Sequence, residues 1–216
     1  MVMKRLCHSE VVKTVKEISS TRREFLSVSL ALPAFFLLEG SSSLEGLAAA
    51  PGLELTPACG DDDVTPAQTA GPFYKPSSPE RQSLLEPGIR GTRIVLQGRV
   101  RSTRCKAIPR ALVDFWHADA GGKYDNIGYR LRGHQFADRE GRYRLETIVP
   151  GLYPGRTRHF HVRVQSPNRP VLTTQLYFAG EPANKTDGIF NSKLAIALRD
   201  SAGGKAATFD FVVDAG

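Results

Sequence analysis

No stretch of the 216-residue sequence approaches the ~20 consecutive apolar residues that a membrane-spanning helix needs, so a permanent span is excluded. No heptad persists and the 20 glycines and 14 prolines are scattered, which removes coiled-coil and collagen-like architectures. No internal repeat of about 20–50 residues is present, against solenoids and propellers. A Lys/Arg cluster interleaved with aromatics, the footprint of a nucleic-acid surface, is missing as well. What remains is 41% hydrophobic and 24% charged residues, too apolar for a disordered chain and long enough for one globular domain with a tail.

The tail is N-terminal. Ser20-Thr21-Arg22-Arg23-Glu24-Phe25-Leu26 sets paired arginines before a moderately apolar run, Val28 to Leu38, and small residues follow from Ser41 to Ala50. This resembles a twin-arginine export signal, which carries folded proteins across a bacterial inner membrane. An ordinary amphipathic helix with a chance Arg-Arg pair is the plainer alternative. Cleavage is expected near Ala48-Ala49-Ala50. Residues 1–50 are therefore read as an export signal, 51–91 as an irregular lead-in and 92–216 as the folded domain. Thr56-Pro57-Ala58-Cys59 is a weaker candidate for lipid anchoring, because Thr56 stands where a bulky aliphatic residue is normal.

The chain carries 29 Lys+Arg and 22 Asp+Glu, of which six and five lie in residues 1–50, so the remainder keeps a net charge of +6. Dispersed as it is, this surplus suits a solvated surface or a mildly anionic small substrate. Cysteine is scarce, at three residues, and Cys7 belongs to the leader. Cys59 and Cys105 are left as a disulfide candidate in an oxidising compartment, or as two free thiols. A bridge between them closes 46 residues, worth roughly 3–4 kcal/mol.

Strand-like runs then follow in succession: Arg93 to Val100, Ala111 to Trp116, Arg142 to Ile148, His159 to Val164, Val171 to Phe178 and Thr208 to Val213. Each is short, β-branched or aromatic and bounded by Gly, Pro, Asn or Asp, which predicts an all-β domain, an antiparallel sandwich or barrel. Turn chemistry supports this at Asp138-Arg139-Glu140-Gly141 and Asn168-Arg169-Pro170. Ser192 to Leu198, with Asn191 as its cap, is the one helix expected outside the leader.

In Arg158-His159-Phe160-His161-Val162-Arg163-Val164, period-two alternation puts Phe160, Val162 and Val164 on one face and His159, His161 and Arg163 on the other. Imidazoles at i and i+2 lie about 7 Å apart at the backbone, close enough to converge on one metal ion. Two histidines on a solvated strand face fit the same pattern. Pro150-Gly151-Leu152-Tyr153-Pro154-Gly155-Arg156 is a rigid turn around one tyrosine, able to meet such an ion or simply to pack. Tyr124, taken alone, reads as loop packing.

Four ordered motifs carry a resemblance. Asp114-Phe115-Trp116-His117-Ala118-Asp119-Ala120-Gly121-Gly122-Lys123-Tyr124, Thr147-Ile148-Val149-Pro150-Gly151-Leu152-Tyr153-Pro154, His159-Phe160-His161 and Thr174-Gln175-Leu176-Tyr177-Phe178 are similar to the intradiol ring-cleavage dioxygenases, the group of the protocatechuate and catechol dioxygenases. Thr69-Ala70-Gly71-Pro72-Phe73-Tyr74 also resembles that family, and the likeness spans residues 65–213.

The resemblance implies a β-sandwich of the intradiol type with long irregular loops. It implies a mononuclear non-haem Fe(III) held by Tyr124, Tyr153, His159 and His161, with Arg156 and Gln175 beside the substrate. Its reaction is cleavage of a small aromatic diol by dioxygen to a cis,cis-muconate-type diacid, with Tyr153 taking a substrate proton. Lys123, where many relatives have arginine, and Arg158, where a small residue or proline is frequent, add positive charge that favours anionic or polyhydroxylated rings. Two other readings stay open: a non-catalytic sandwich that serves recognition, and a zinc or copper protein using His159 and His161. The ring that is cleaved and the oligomeric state are not legible.

Overall fold

The computed structural model describes residues 64–214. The export-signal and lipid-anchor expectations, and Cys59 with them, lie outside the described residues. Cys105 is disulfide-bonded, and no other cysteine falls among the described residues.

Ten strands make two sheets. In the first, β1 (Arg93–Ser102) is the centre, because Ile94, Leu96 and Val100 alternate inward with Arg93, Gln97 and Arg99 outward. Along one edge it pairs antiparallel with β4 (Arg142–Ile148), from Arg93 opposite Ile148 to Arg99 opposite Arg142. The other edge is shared: β9 (Gly204–Thr208) runs parallel to Ile94–Gln97 and β10 (Phe211–Val213) parallel to Val100–Ser102. β8 (Arg199–Ser201) flanks β9.

The second sheet has the order β3, β2, β5, β6, β7, from Arg132–Phe136, Leu112–Trp116, His159–Gln165, Leu172–Phe178 and Ala195–Ile196. Its first four strands are antiparallel neighbours and β7 joins parallel. Core side chains come from both sheets, Ile94, Leu96 and Leu145 from the first and Val113, Phe115, Phe160 and Val162 from the second.

The all-β architecture is as expected, but the sheets are mixed rather than antiparallel. Three pairings are parallel, β1 with β9, β1 with β10 and β6 with β7, because the C-terminal strands return to open edges by long excursions instead of hairpins. Thr208 to Val213 is not one strand: β9 ends at Thr208 and β10 begins at Phe211, and between them the Asp210 carboxylate accepts the Arg99 N–H at 2.8 Å. The helix expected over Ser192 to Leu198 shrinks to a 3-10 turn, Ser192–Leu194, with Asn191 accepting from the Lys193 N–H at 2.9 Å. The turn buries Leu194 and extending the chain after it as β7 buries Ile196, and that burial outweighs local helix propensity.

The lead-in is irregular and straps the sheets. The Thr65 N–H donates to Val212 at 2.9 Å on β10 and the Gln68 N–H to Thr173 at 2.8 Å on β6, while Leu84 is fully buried. Among the described residues no helix is long and apolar enough to cross a membrane.

Candidate active site

Cross-strand register builds the site on the face of the second sheet that points away from the core. Trp116, His161 and Gln175 are direct partners on β2, β5 and β6, and His159 pairs with Tyr177 in the next row. Directly opposed residues share a face, so the strands set an indole, two imidazoles, an amide and a phenol side by side. His159 and His161 are 4% and 2% exposed, which rules out the solvated strand face. The lead-in and two loops cover them.

His159 Nδ1 lies 2.6 Å from the Thr157 carbonyl. A carbonyl only accepts, so the ring proton sits on Nδ1 and Nε2 is left as a bare lone pair. That Nε2 faces His161 Nε2 at 3.2 Å and the Tyr124 hydroxyl, also at 3.2 Å. Trp116 stacks on His161, 4.9 Å between centroids and 3° from parallel, and His161 Nδ1 is buried with no hydrogen-bond partner. Burial lowers the His159 pKa to about 4 and takes that of His161 well below its ordinary value, with neighbouring positive charge adding to the effect. Both rings are therefore neutral near pH 7, the form that donates to a metal.

Tyr124 and Tyr153 arrive on two loops that interlock. The Asp119 carboxylate accepts the Gly121 and Lys123 N–H groups at 2.8 and 3.0 Å, shaping the turn that presents Tyr124, and the Asp119 carbonyl accepts the Gly151 N–H at 2.8 Å. Gly122, at φ +79°, comes so close to the facing turn that a Cβ there would stand 2.0 Å from the Leu152 carbonyl oxygen. The two phenol rings meet at 5.9 Å and 75°. Phe73, from the lead-in, stacks on Tyr124 at 4.4 Å and stands edge-on to Tyr153 at 5.4 Å. Burial raises the Tyr124 pKa, an effect that Arg156 and Arg132 oppose.

Arg156 extends from the Tyr153 turn. Its Nε donates to Asp187 at 2.9 Å and its Nη2 to Gln175 Oε1 at 2.7 Å. Gln175 is fully buried on an interior strand, and its Nε2 donates to the Thr69 carbonyl at 2.9 Å. All six residues expected at the site, Tyr124, Tyr153, Arg156, His159, His161 and Gln175, are thus brought into one neighbourhood.

Two features were not foreseen. Arg132, 2% exposed on β3, donates to the Phe73 carbonyl at 2.7 Å and to the Asp125 carbonyl at 2.9 and 3.2 Å, so a buried guanidinium backs the Phe73–Tyr124 stack. Arg132-Gly133-His134-Gln135-Phe136 has no apolar alternation to announce a strand. Asp187 lies in a loop with no motif or periodicity to mark it. Arg158 is engaged by Glu181 at 2.9 Å and by the Pro150 carbonyl at 2.7 Å, so its charge is neutralised in place. Lys123 is exposed and, with Tyr124, Asp119, Asp125, Arg130 and Leu131, lines a cleft of about 310 Å³.

The donor set fits a hard cation. The bare Nε2 of neutral His159, the His161 Nε2 and the Tyr124 hydroxyl each 3.2 Å from it, and a second phenol beside them describe a ligand cluster better than a self-sufficient polar network. Among the described residues, no third His, Cys, Asp or Glu joins the pair.

Comparison with known proteins agrees with the geometry. The family model described as "Dioxygenase" matches residues 69–215. The chain is 30% identical over 160 residues to catechol 1,2-dioxygenase of Pseudomonas sp. (strain EST1001), covering 62% of this chain and 53% of that protein. To hydroxyquinol 1,2-dioxygenase of Nocardioides simplex it is 27% identical over 155 residues, 61% of this chain and 53% of the relative. The chain thus spans about half the length of these curated relatives. A solved structure, the dioxygenase domain of a dioxygenase carbohydrate-binding protein fusion from the cellulolytic bacterium Streptomyces sp. SirexAA-E, is 51% identical with a TM-score of 0.70, covering 71% of this chain and all of that one. With a family match over most of its length and this fold beneath it, the chain belongs to the intradiol ring-cleavage dioxygenases.

Proposed function

We propose that the protein is a non-haem Fe(III)-dependent dioxygenase that opens a catechol-type ring between its two hydroxyl carbons, yielding a cis,cis-muconate-type diacid. One observation carries the reading: His159 Nε2 lies 3.2 Å from both the His161 Nε2 and the Tyr124 hydroxyl, with Tyr153 alongside. Tyr124, Tyr153, His159 and His161 would hold the ion. A bound ferric ion supplies a Lewis acid that lowers phenol and catechol pKa values and an acceptor orbital that lets an electron-rich catecholate react with dioxygen.

The chain's own residues supply the rest. The Thr157 carbonyl holds His159 in the tautomer whose Nε2 is free. Tyr153 is half-buried on its turn, its carbonyl accepts the Arg156 N–H at 2.9 Å and its hydroxyl makes no hydrogen bond among the described residues, so as the tyrosinate that a bound ion would stabilise it could take a proton from an incoming substrate hydroxyl. Arg156, beside the cross-strand neighbour of His161, stabilises negative charge that builds on the ring as oxygen adds. Gln175, anchored to the Thr69 carbonyl, keeps that guanidinium in register. Phe73 and Trp116 wall the site with aromatic surface and limit water. Both oxygen atoms end in the product, so no reductant is consumed.

The same reading makes this an exported enzyme acting outside the cytoplasm, supported by Arg22-Arg23 and the apolar run behind it. Export in the folded state lets the metal be selected before the chain leaves the cell.

The deciding experiment is the visible spectrum and metal content of the purified protein, before and after anaerobic addition of catechol. A red-brown iron protein whose band shifts on catechol is expected, since tyrosinate-to-iron charge transfer absorbs visible light. A colourless protein that stays inactive after iron reconstitution would overturn the proposal in favour of a recognition module. Zinc or copper in place of iron, without the tyrosinate band, would overturn it in favour of a different metalloprotein.

A further inference from the structure

The segment between β6 and β7, residues 181–190, grips the turn that carries Tyr153 and Arg156. Glu181 pairs with Arg158 at 2.9 Å, and Asn184 Oδ1 accepts the Thr157 hydroxyl at 2.7 Å. Asp187 does more. Its Oδ2 accepts Arg156 Nε at 2.9 Å and the Thr157 N–H at 3.0 Å, and its Oδ1 accepts the Ile189 N–H at 3.1 Å. The carboxylate side chain is 1% exposed, so these bonds are made with little competition from water.

Each bond on Oδ2 leads to a different part of the site. Arg156, fixed at Nε, has its Nη2 directed onto Gln175 Oε1 at 2.7 Å. Thr157, fixed at its N–H, presents its carbonyl to His159 Nδ1 at 2.6 Å, the bond that leaves Nε2 bare. A long guanidinium side chain has rotamer entropy to lose before it can act at one point, and a buried anion that holds Nε removes that freedom in advance. An imidazole needs its tautomer set by the group behind it. One carboxylate oxygen does both.

We infer that Asp187 is a positioning residue for the proposed reaction, clamping Arg156 against Gln175 and, through the backbone of Thr157, orienting His159. The inference rests on the reading of the site as a ring-cleavage centre. Asparagine has the same shape but no charge, and its single oxygen cannot replace a carboxylate facing Arg156 while also serving the Thr157 and Ile189 N–H groups.

The test uses the full chain as wild type, Asp187→Asn, Arg156→Ala and the double variant. In iron-free protein, the Arg156 Nε–H resonance in nitrogen-15 spectra is expected to be resolved and slow to exchange in wild type and lost in Asp187→Asn, with the His159 ring nitrogens moving from one tautomer to a mixture. In iron-loaded protein, kcat on catechol falls about ten- to hundredfold while KM changes by less than about threefold, as misalignment of a charge-stabilising group requires. The visible band shifts as well. In the Arg156→Ala background, Asp187→Asn costs less kcat than in wild type, because only its route through Thr157 to His159 is left.

Wild-type kcat with an intact Arg156 Nε–H signal in Asp187→Asn would overturn the clamp. Full multiplication of the two losses in the double variant would also overturn it, because Asp187 would then act independently of Arg156. Should Asp187→Asn not fold, Asp187→Glu carries the same comparison with the charge kept and displaced. A wild-type protein without ring-cleavage activity defeats the proposed function, while the iron-free spectra still decide whether Asp187 holds Arg156 and His159.

Discussion

Hydrogen bonds assign different work to three buried imidazoles. His117 is satisfied at both nitrogens, by the Ala118 carbonyl at 2.8 Å and the Thr147 hydroxyl at 2.7 Å, and serves the packing. His159 is satisfied at one nitrogen, and His161 has an orphaned Nδ1. Burial lowers the His117 pKa from 6.5 to about 4, so the unfolded chain binds the extra proton between those values and stability falls as the pH drops from 6.5 to 4. That loss is about 3 kcal/mol for this group alone. Chemical denaturation of wild type and His117→Gln across this range checks it: the variant, less stable at pH 7, loses less on acidification. At the proposed centre, Tyr153→Phe is expected to keep the sandwich and much of the iron while altering the visible band and slowing turnover, whereas His161→Ala loses iron outright. Metal analysis and spectra distinguish the two, and full activity in both variants would remove the site. The His-x-His spacing was legible because strand period two aligns both rings. The tyrosines were not, since a phenol on a loop reads as packing until its neighbours are known, and only the family motifs singled them out.

At the scale of elements, strands with alternating apolar residues could be read directly, and β4 runs from Arg142 to Ile148 as expected. β3 could not, because Arg132 and Gln135 are buried through polar contacts that an apolar pattern does not encode. The loops that bear Tyr124 and Tyr153 depend on a backbone approach that admits no side chain. Gly122→Ala would set a methyl group 2.0 Å from the Leu152 carbonyl oxygen, at a φ of +79° that alanine resists. We expect it to destabilise the fold by about 2 kcal/mol or more. Activity should fall further than stability explains, because separating the loops separates the phenols. Thermal unfolding beside kcat and iron content measures both effects. A variant with wild-type melting and turnover would show that the loops yield freely.

At the scale of the molecule, the mixed sheets tie the C-terminus to the centre of the fold: β9 and β10 share one edge of β1, and the lead-in bonds to β10 and β6. Cys105 adds a covalent tie whose partner lies outside the described residues. If that partner is Cys59, the wild-type intact mass is lower by two hydrogens than after reduction, and Cys105→Ser lowers stability by about 3–4 kcal/mol. Mass spectrometry with and without reductant, before alkylation, tests the pairing, and two thiols alkylated without reduction would refute it.

By itself the sequence determined an all-β domain, the strand that aligns two histidines and the motifs that name a family, because alternation and turn chemistry are local and motif spacing survives without coordinates. Tertiary structure alone decided that the sheets are mixed, that Arg158 is neutralised, that Arg132 backs the Phe73–Tyr124 stack and that Asp187 grips Arg156 and Thr157. Each of these depends on groups far apart in the chain meeting out of water, where an unpaired charge or N–H is costly and its partner is set by packing rather than by sequence distance.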